Sequence, residues 1–176
     1  MATDATWLKQ LVRDVPDYPR PGVVFKDITP LLSDVKAFRY SVDALADHFA
    51  GNRVDKVLGI EARGFIVAAP VAYRFGAGFV PVRKKGKLPW TVEAQEYVLE
   101  YGTDSLEIHR DALGPGDHAL IIDDVLATGG TAAAATRLVE RLGGVTIGAG
   151  FLIELTFLGG RGKLGGYDVV SLITYD

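Results

Sequence analysis

Cysteine is absent from the 176-residue chain, methionine occurs once, tryptophan twice and histidine three times. Without thiols there can be no disulfide staples, no thiolate nucleophile and no cysteine-ligated zinc. His48, His109 and His118 are scattered and lack ligand spacing, so no metal site built from the protein alone is expected. Long apolar runs are missing as well. The uncharged stretch from Leu142 to Ile153 is 12 residues and is broken by glycines, whereas a membrane span needs about 18 apolar residues. No apolar run follows a basic flank near Met1, so no secretion signal is read, and a cytoplasmic protein without membrane partners is expected. Nor is there a basic excess: 19 Lys and Arg against 22 Asp and Glu leave a net charge of −3, which gives nucleic-acid binding no general footing.

Two familiar phosphate loops are also missing. No G-x-x-x-x-G-K-[ST] occurs, and the pairs Gly76/Gly78 and Gly148/Gly150 lack the third glycine of G-x-G-x-x-G. The sequence therefore gives no support to an ATP-type P-loop and argues against a nicotinamide dinucleotide site.

What is present is the mix of one globular domain, 48% apolar and 23% charged. Trp7, Leu8, Leu11, Val12 and Val15 have helical spacing, and that helix is expected to stop before Pro16. Prolines 16, 19 and 21 and Gly22 then predict an extended loop holding the apolar step Val23, Val24 and Phe25. After the capping pair Ser33-Asp34, a helix with Val35, Phe38, Val42, Leu45 and Phe49 inward should run to Gly51. Strands are expected at Val57 to Ile60, Phe79 to Val82, Ala119 to Ile122, Thr146 to Leu152 and Val169 to Ile173. Helices are expected at Phe65 to Phe75 and Thr131 to Leu142. Continuously apolar strands alternating with helices imply a buried, mainly parallel sheet, hence a doubly wound α/β fold. Thr91 to Tyr101 breaks the pattern with polar and aromatic alternation and reads as a hairpin or flap.

The strongest chemical signal is ALIIDDVLATGGT, residues 119 to 131. A buried strand delivers Asp123 and Asp124 to the carboxyl edge of the sheet, where open α/β folds bind ligands. Small residues then open a helix, and the N–H groups of Ala127, Thr128, Gly129, Gly130 and Thr131 can converge on an anion. Acids beside a phosphate cradle make sense for a ligand with hydroxyls next to its phosphate, and a ribose 5-phosphate is one. The run Arg83, Lys84, Lys85 and Lys87 is either a solvated loop or a second anion cradle.

The DD-x-x-ATGGT segment resembles the phosphoribosyl pyrophosphate signature of the type I phosphoribosyltransferases. The rest of the chain resembles the adenine phosphoribosyltransferase family through DYPRPGVVFKDITPLL (17 to 32), EARGF (61 to 65), VPVRKKGKLP (80 to 89), YVLEYGTDSLEIHRDAL (97 to 113) and LIELTFLGG (152 to 160). The resemblance implies the type I fold: a central, mainly parallel sheet flanked by helices, a small N-terminal hood within residues 1 to 33, and a flap at 84 to 102. It implies transfer of the phosphoribosyl group to N9 of adenine, giving AMP and pyrophosphate in purine salvage. Mg2+ is expected to arrive with phosphoribosyl pyrophosphate, and the chain is expected to be a homodimer.

Residue by residue, it assigns adenine binding to Phe25 by stacking and to the backbone of Val24 and Lys26, where the family usually carries arginine in place of Lys26. Pyrophosphate binding falls to Glu61, Ala62, Arg63, Arg83, Lys84 and Lys87, with the arginine at 83 reaching across the dimer. Ribose binding falls to Asp123 and Asp124, and 5′-phosphate binding to residues 127 to 131. Glu100 and Tyr101 are the implied catalytic pair, Glu100 exchanging a proton with the base. Two alternatives stay open at this point: a 6-oxopurine substrate, and a non-catalytic phosphoribosyl pyrophosphate sensor.

Overall fold

A computed structural model describes residues 5–98 and 102–176. The N-terminal segment forms a short 3-10 turn, Thr6–Leu11, in place of the expected helix. Val12 then adopts an extended backbone, and Arg13–Val15 (β1) pairs antiparallel with Phe25–Asp27 (β2). The apolar spacing that suggested a helix serves a different purpose: Leu8 is fully buried and Trp7 packs edge-on against Tyr40, with ring centroids 5.5 Å apart. Strand pairing across the proline loop captures residues 13 to 15 before a helix can reach them.

A single helical turn, Thr29–Ser33 (α1), leads into Val35–His48 (α2). Asp34 caps α2, its carboxylate accepting the N–H groups of Lys36 at 2.9 Å and Ala37 at 2.8 Å. Val35, expected inward, is 84% exposed, because the first helical position after the cap faces away from the sheet. The remaining elements are β3 (Lys56–Ile60), α3 (Gly64–Phe75), β4 (Gly78–Lys84), β5 (Val92–Val98), β6 (Thr103–His109), β7 (His118–Leu126), α4 (Gly130–Arg141), β8 (Val145–Leu155) and β9 (Asp168–Tyr175). Among the described residues no helix is long and apolar enough to cross a membrane.

The strands form one seven-stranded sheet in the order β5-β6-β4-β3-β7-β8-β9. From β4 to β9 every neighbouring pair is parallel, while β6 joins β4, and β5 joins β6, antiparallel. The α/β class expected from the alternating pattern is therefore the fold observed. The polar segment that reads as a flap is one arm of a hairpin whose other arm, β6, is a strand that the spacing did not suggest. Residues Arg83 and Lys84 pair with Glu107 and Leu106, so the base of this hairpin belongs to the main sheet.

β7 shows why its run is apolar without alternation. Leu120 and Ile122 pack with α2 and α3, while Ala119 and Ile121 pack with α4, so both faces are buried. The chain leaves β3 toward β4 on one side and leaves β7 toward β8 on the other. The loops after these two adjacent strands diverge and open a crevice at their carboxyl ends.

Candidate active site

Two loops line that crevice. After β3, residues Glu61 to Arg63 lead into α3, and the Glu61–Ala62 peptide bond is cis. After β7 the chain turns through Ala127 to Gly129 into α4. The expected strand ended at Ile122, but the ladder continues to Leu126, so Asp123 and Asp124 lie within β7 rather than beyond it. They are 8% and 6% exposed. The first residue of α3, Gly64, lies so close to Asp123 that a Cβ there would stand 2.5 Å from Oδ1. Only glycine permits that approach. Burial, followed by the neighbouring Asp124 charge, pushes the Asp123 carboxyl well above its ordinary range.

Arg63 bridges two parts of the crevice. Its Nε stands 2.6 Å from Asp124 Oδ2, and its guanidinium lies over the Phe25 ring, 4.7 Å from the centroid. The edge of Tyr18 meets the same ring at 5.2 Å. Phe25 is thus tied to the acids through a single cation, although the two lie on different sheets.

Glu61 serves the basic run. Arg83 donates to it through Nε at 3.2 Å and Nη2 at 3.4 Å, and the Lys84 N–H donates at 2.9 Å. Burial pushes the Glu61 carboxyl up, but these donors together outweigh it and hold it below its ordinary value. Lys84 reaches back to Asp104, with Nζ 3.0 Å from Oδ2, and the Tyr97 hydroxyl donates to the same oxygen at 3.3 Å. That pairing raises Lys84 and lowers Asp104, so both are charged at neutral pH.

These groups surround a cavity of about 310 Å³, lined by Glu61, Ala62, Arg63, Lys84, Tyr97, Asp104, Asp123, Asp124 and Thr131 among others. A smaller hollow of about 50 Å³ lies against Ala127, Thr128, Gly129 and Thr131. Gly129 has φ +75°, a left-handed conformation that turns the chain sharply into α4. The first N–H groups of α4 have no acceptor inside their own helix, and the helix dipole adds positive potential there. Acceptors for hydroxyls and donors for phosphates therefore meet at one sheet edge.

The phosphoribosyl transferase domain family matches residues 27–162. An adenine phosphoribosyltransferase of Solibacter usitatus is 59% identical over 169 residues, covering 96% of this chain and 98% of the relative. The chain belongs to the adenine phosphoribosyltransferase family. The crystal structure of the family member from Thermoanaerobacter pseudethanolicus is 56% identical, with a TM-score of 0.93 over 96% of this chain and 98% of that one. The Saccharomyces cerevisiae member, solved with an imino-altritol bisphosphate and adenine, is 39% identical, with a TM-score of 0.90 over 98% of this chain and 99% of that one.

Most of the residues singled out by resemblance to this family converge. Glu61, Ala62, Arg63, Lys84, Asp123, Asp124 and Thr131 share the larger cavity. Ala127, Thr128 and Gly129 line the smaller one, Gly130 begins α4, and Arg83 joins through Glu61. The Lys26 side chain does not converge. Its Nζ pairs with Asp14 at 2.6 Å and lies 4.0 Å from the Tyr175 ring centroid, so only its backbone remains for a ligand. The exposed Val24 and Lys87 line neither cavity. Glu100 and Tyr101 lie outside the described residues. Sequence reasoning missed Tyr97 and Asp104, which face each other across the hairpin. The alternation Leu106, Glu107, Ile108 further along the segment was the available signal.

Proposed function

We propose that the chain transfers the 5-phosphoribosyl group of phosphoribosyl pyrophosphate to N9 of adenine, releasing pyrophosphate and giving AMP for purine salvage. The observation that carries this reading is the juxtaposition of two buried acids, Asp123 and Asp124, with the left-handed Gly129 loop at one strand end. A ribose 5-phosphate needs both features, hydroxyl acceptors and an anion cradle, a few ångströms apart.

In this reading Asp123 and Asp124 accept the ribose hydroxyls, and the N–H groups of residues 127 to 131 hold the 5′-phosphate with the hydroxyls of Thr128 and Thr131. Arg63 and Lys84 carry donors for the pyrophosphate, and so do Arg83 and Lys87. Glu61, which as a carboxylate has no donor to offer, orients Arg83 instead. Adenine stacks on Phe25, with its edge read by the backbone of Val24 and Lys26. An amino donor beside a ring acceptor matches one C=O and one N–H, and a 6-oxopurine reverses that pattern. Glu100 and Tyr101, which follow β5 in the sequence, complete the catalytic set, and closure of the flap over the crevice excludes water from the reacting sugar. Residues up to Ser33 act as the hood, and the segment from 84 to 102 acts as the flap.

Magnesium enters as part of the phosphoribosyl pyrophosphate substrate and neutralises its charge. Such an ion keeps mostly phosphate and water ligands. A homodimer is supported by the apolar side chains that α3 and the start of β4 leave exposed, namely Ile66, Tyr73 and Phe79. The cytoplasm is the proposed location.

The test is product formation from magnesium phosphoribosyl pyrophosphate with each purine base in turn, following pyrophosphate release. AMP from adenine, with little product from the 6-oxopurines, is the expected result. Turnover with a 6-oxopurine alone would overturn the assignment of the base site.

A further inference from the structure

Beyond the residues assigned so far, the loop at Ala127 to Gly129 rests on a distant stretch of backbone. Gly160, the first residue of a 3-10 turn spanning Gly160–Leu164, packs directly against it. A methyl group built on Gly160 would collide with the Ala127 carbonyl oxygen and stand 2.8 Å from the Gly129 nitrogen. The contact is reciprocal. A methyl on Gly129 would collide with the Gly160 carbonyl oxygen and stand 3.0 Å from its Cα. Gly129 also needs its left-handed backbone, whereas Gly160 has no such requirement. Gly160 is a glycine for want of room.

The turn that carries Gly160 cannot readily retreat. Arg161 grips the buried Glu154 carboxylate through Nε at 3.0 Å and Nη2 at 2.5 Å, and its Nη1 donates to the Val169 carbonyl at 2.7 Å. This forked pairing ties the turn to β8 and β9. At its other end Leu164 is buried in the same apolar cluster as Leu138 and Val139 of α4. Backbone on one side of the contact is therefore held by an ion pair and by core packing, and it bears on a loop whose N–H groups must be aimed.

We propose that Gly160 is a positioning residue for the 5′-phosphate cradle: its backbone contact with Ala127 and Gly129 sets the path of that loop and so the aim of its donors. The proposal rests on reading residues 127 to 131 as the phosphate site. A side chain at position 160 forces a shift of about 1 Å in one of the two backbones, and misplacement on that scale can cost about a hundredfold where geometry is demanding. The effect should be selective, because the ring contacts of Phe25 run to Tyr18 and Arg63. Gly162, in the same turn, has nothing within 4 Å of its would-be Cβ and serves as the matched control.

The probe is ribose 5-phosphate, titrated calorimetrically into the full chain, with the KM for adenine measured at saturating phosphoribosyl pyrophosphate. Gly160→Ala should weaken ribose 5-phosphate binding at least tenfold and leave the adenine KM within about twofold. Gly162→Ala should change neither. Should Gly160→Ala fail to fold, Arg161→Lys, which keeps the charge and loses the fork, should weaken ribose 5-phosphate binding about threefold with the same selectivity. Unchanged ribose 5-phosphate affinity in the folded Gly160 variant, or in Arg161→Lys when that variant stands in, overturns the proposal. So does an equal loss toward both substrates. A Thr128→Val/Thr131→Val double variant separates the two readings. If it also leaves ribose 5-phosphate binding unchanged, the phosphate assignment itself falls; if it weakens binding while Gly160→Ala does not, only the role of Gly160 falls.

Discussion

Replacing Arg63 with methionine removes the cation from a pair whose other member is buried. The ion pair spans 2.6 Å, with 39% of the Arg63 side chain exposed and 9% of the Asp124 side chain. A fully exposed pair contributes about 0–1 kcal/mol, and stranding one member of a fully buried pair costs about 3–5 kcal/mol. Screening at the wetter arginine puts this pair between those limits, at about 2 kcal/mol. For a chain of this length about 1 kcal/mol moves Tm by about 2–4 °C, so Arg63→Met should melt about 4–8 °C lower at neutral pH.

The deficit should also depend on pH. Burial and the Asp124 charge raise the Asp123 carboxyl, and Arg63 pulls it back down. Without Arg63 the folded-state value of Asp123 rises further above its unfolded value near 3.8. An acid whose folded value is raised loses stability as pH climbs from the unfolded value to the folded one. The variant, with the higher folded value, goes on losing it after wild type has stopped, so the deficit should be smaller at about pH 4 than at about pH 8. The assay is urea denaturation of wild type, Arg63→Met, Asp124→Asn and the double variant at both pH values. The double variant should be about 2 kcal/mol more stable than the sum of the single losses predicts. Additivity within about 0.5 kcal/mol, or a deficit that does not grow with pH, would refute the reasoning.

Phe25→Ala removes the stacking surface beneath Arg63. Base stacking on an aromatic ring is worth about 1–3 kcal/mol, so the adenine KM should rise about tenfold while the phosphoribosyl pyrophosphate KM stays nearly constant in steady-state kinetics. Asp123→Asn should abolish turnover yet make the ligand-free protein more stable than wild type at pH 7. That advantage should vanish below about pH 4, where the wild-type carboxyl is protonated in both states, as thermal melts across pH would show. Phe49→Ala, at a fully buried ring that packs on Gly148 and Gly150, should cost about 3–5 kcal/mol in chemical denaturation without altering either KM in the protein that remains folded.

Legibility followed the physical nature of each signal. β7 and α4 could be read because both-face burial leaves a continuous apolar run and amphipathic burial leaves a 3.6-residue repeat. The loop between them was readable as chemistry because acids and glycines in that order have few purely structural uses. β6 was not recognised, since Thr103, Asp104 and Ser105 look like loop residues until they pair with β5. The first helix was over-read for the complementary reason. Apolar spacing records what is buried, and Leu8 is buried by a 3-10 turn as well as it would be by a helix.

By itself the sequence determined the fold class, the two loops that line the crevice and the family, because each is written in short runs of residues adjacent in the chain. Tertiary structure alone decided which of those residues meet. It set Arg63 between Phe25 and Asp124, turned the Lys26 side chain away to Asp14, and brought Gly160 against Gly129. These are contacts between segments far apart in sequence. Their geometry depends on how helices seat on the sheet, and no local propensity encodes that.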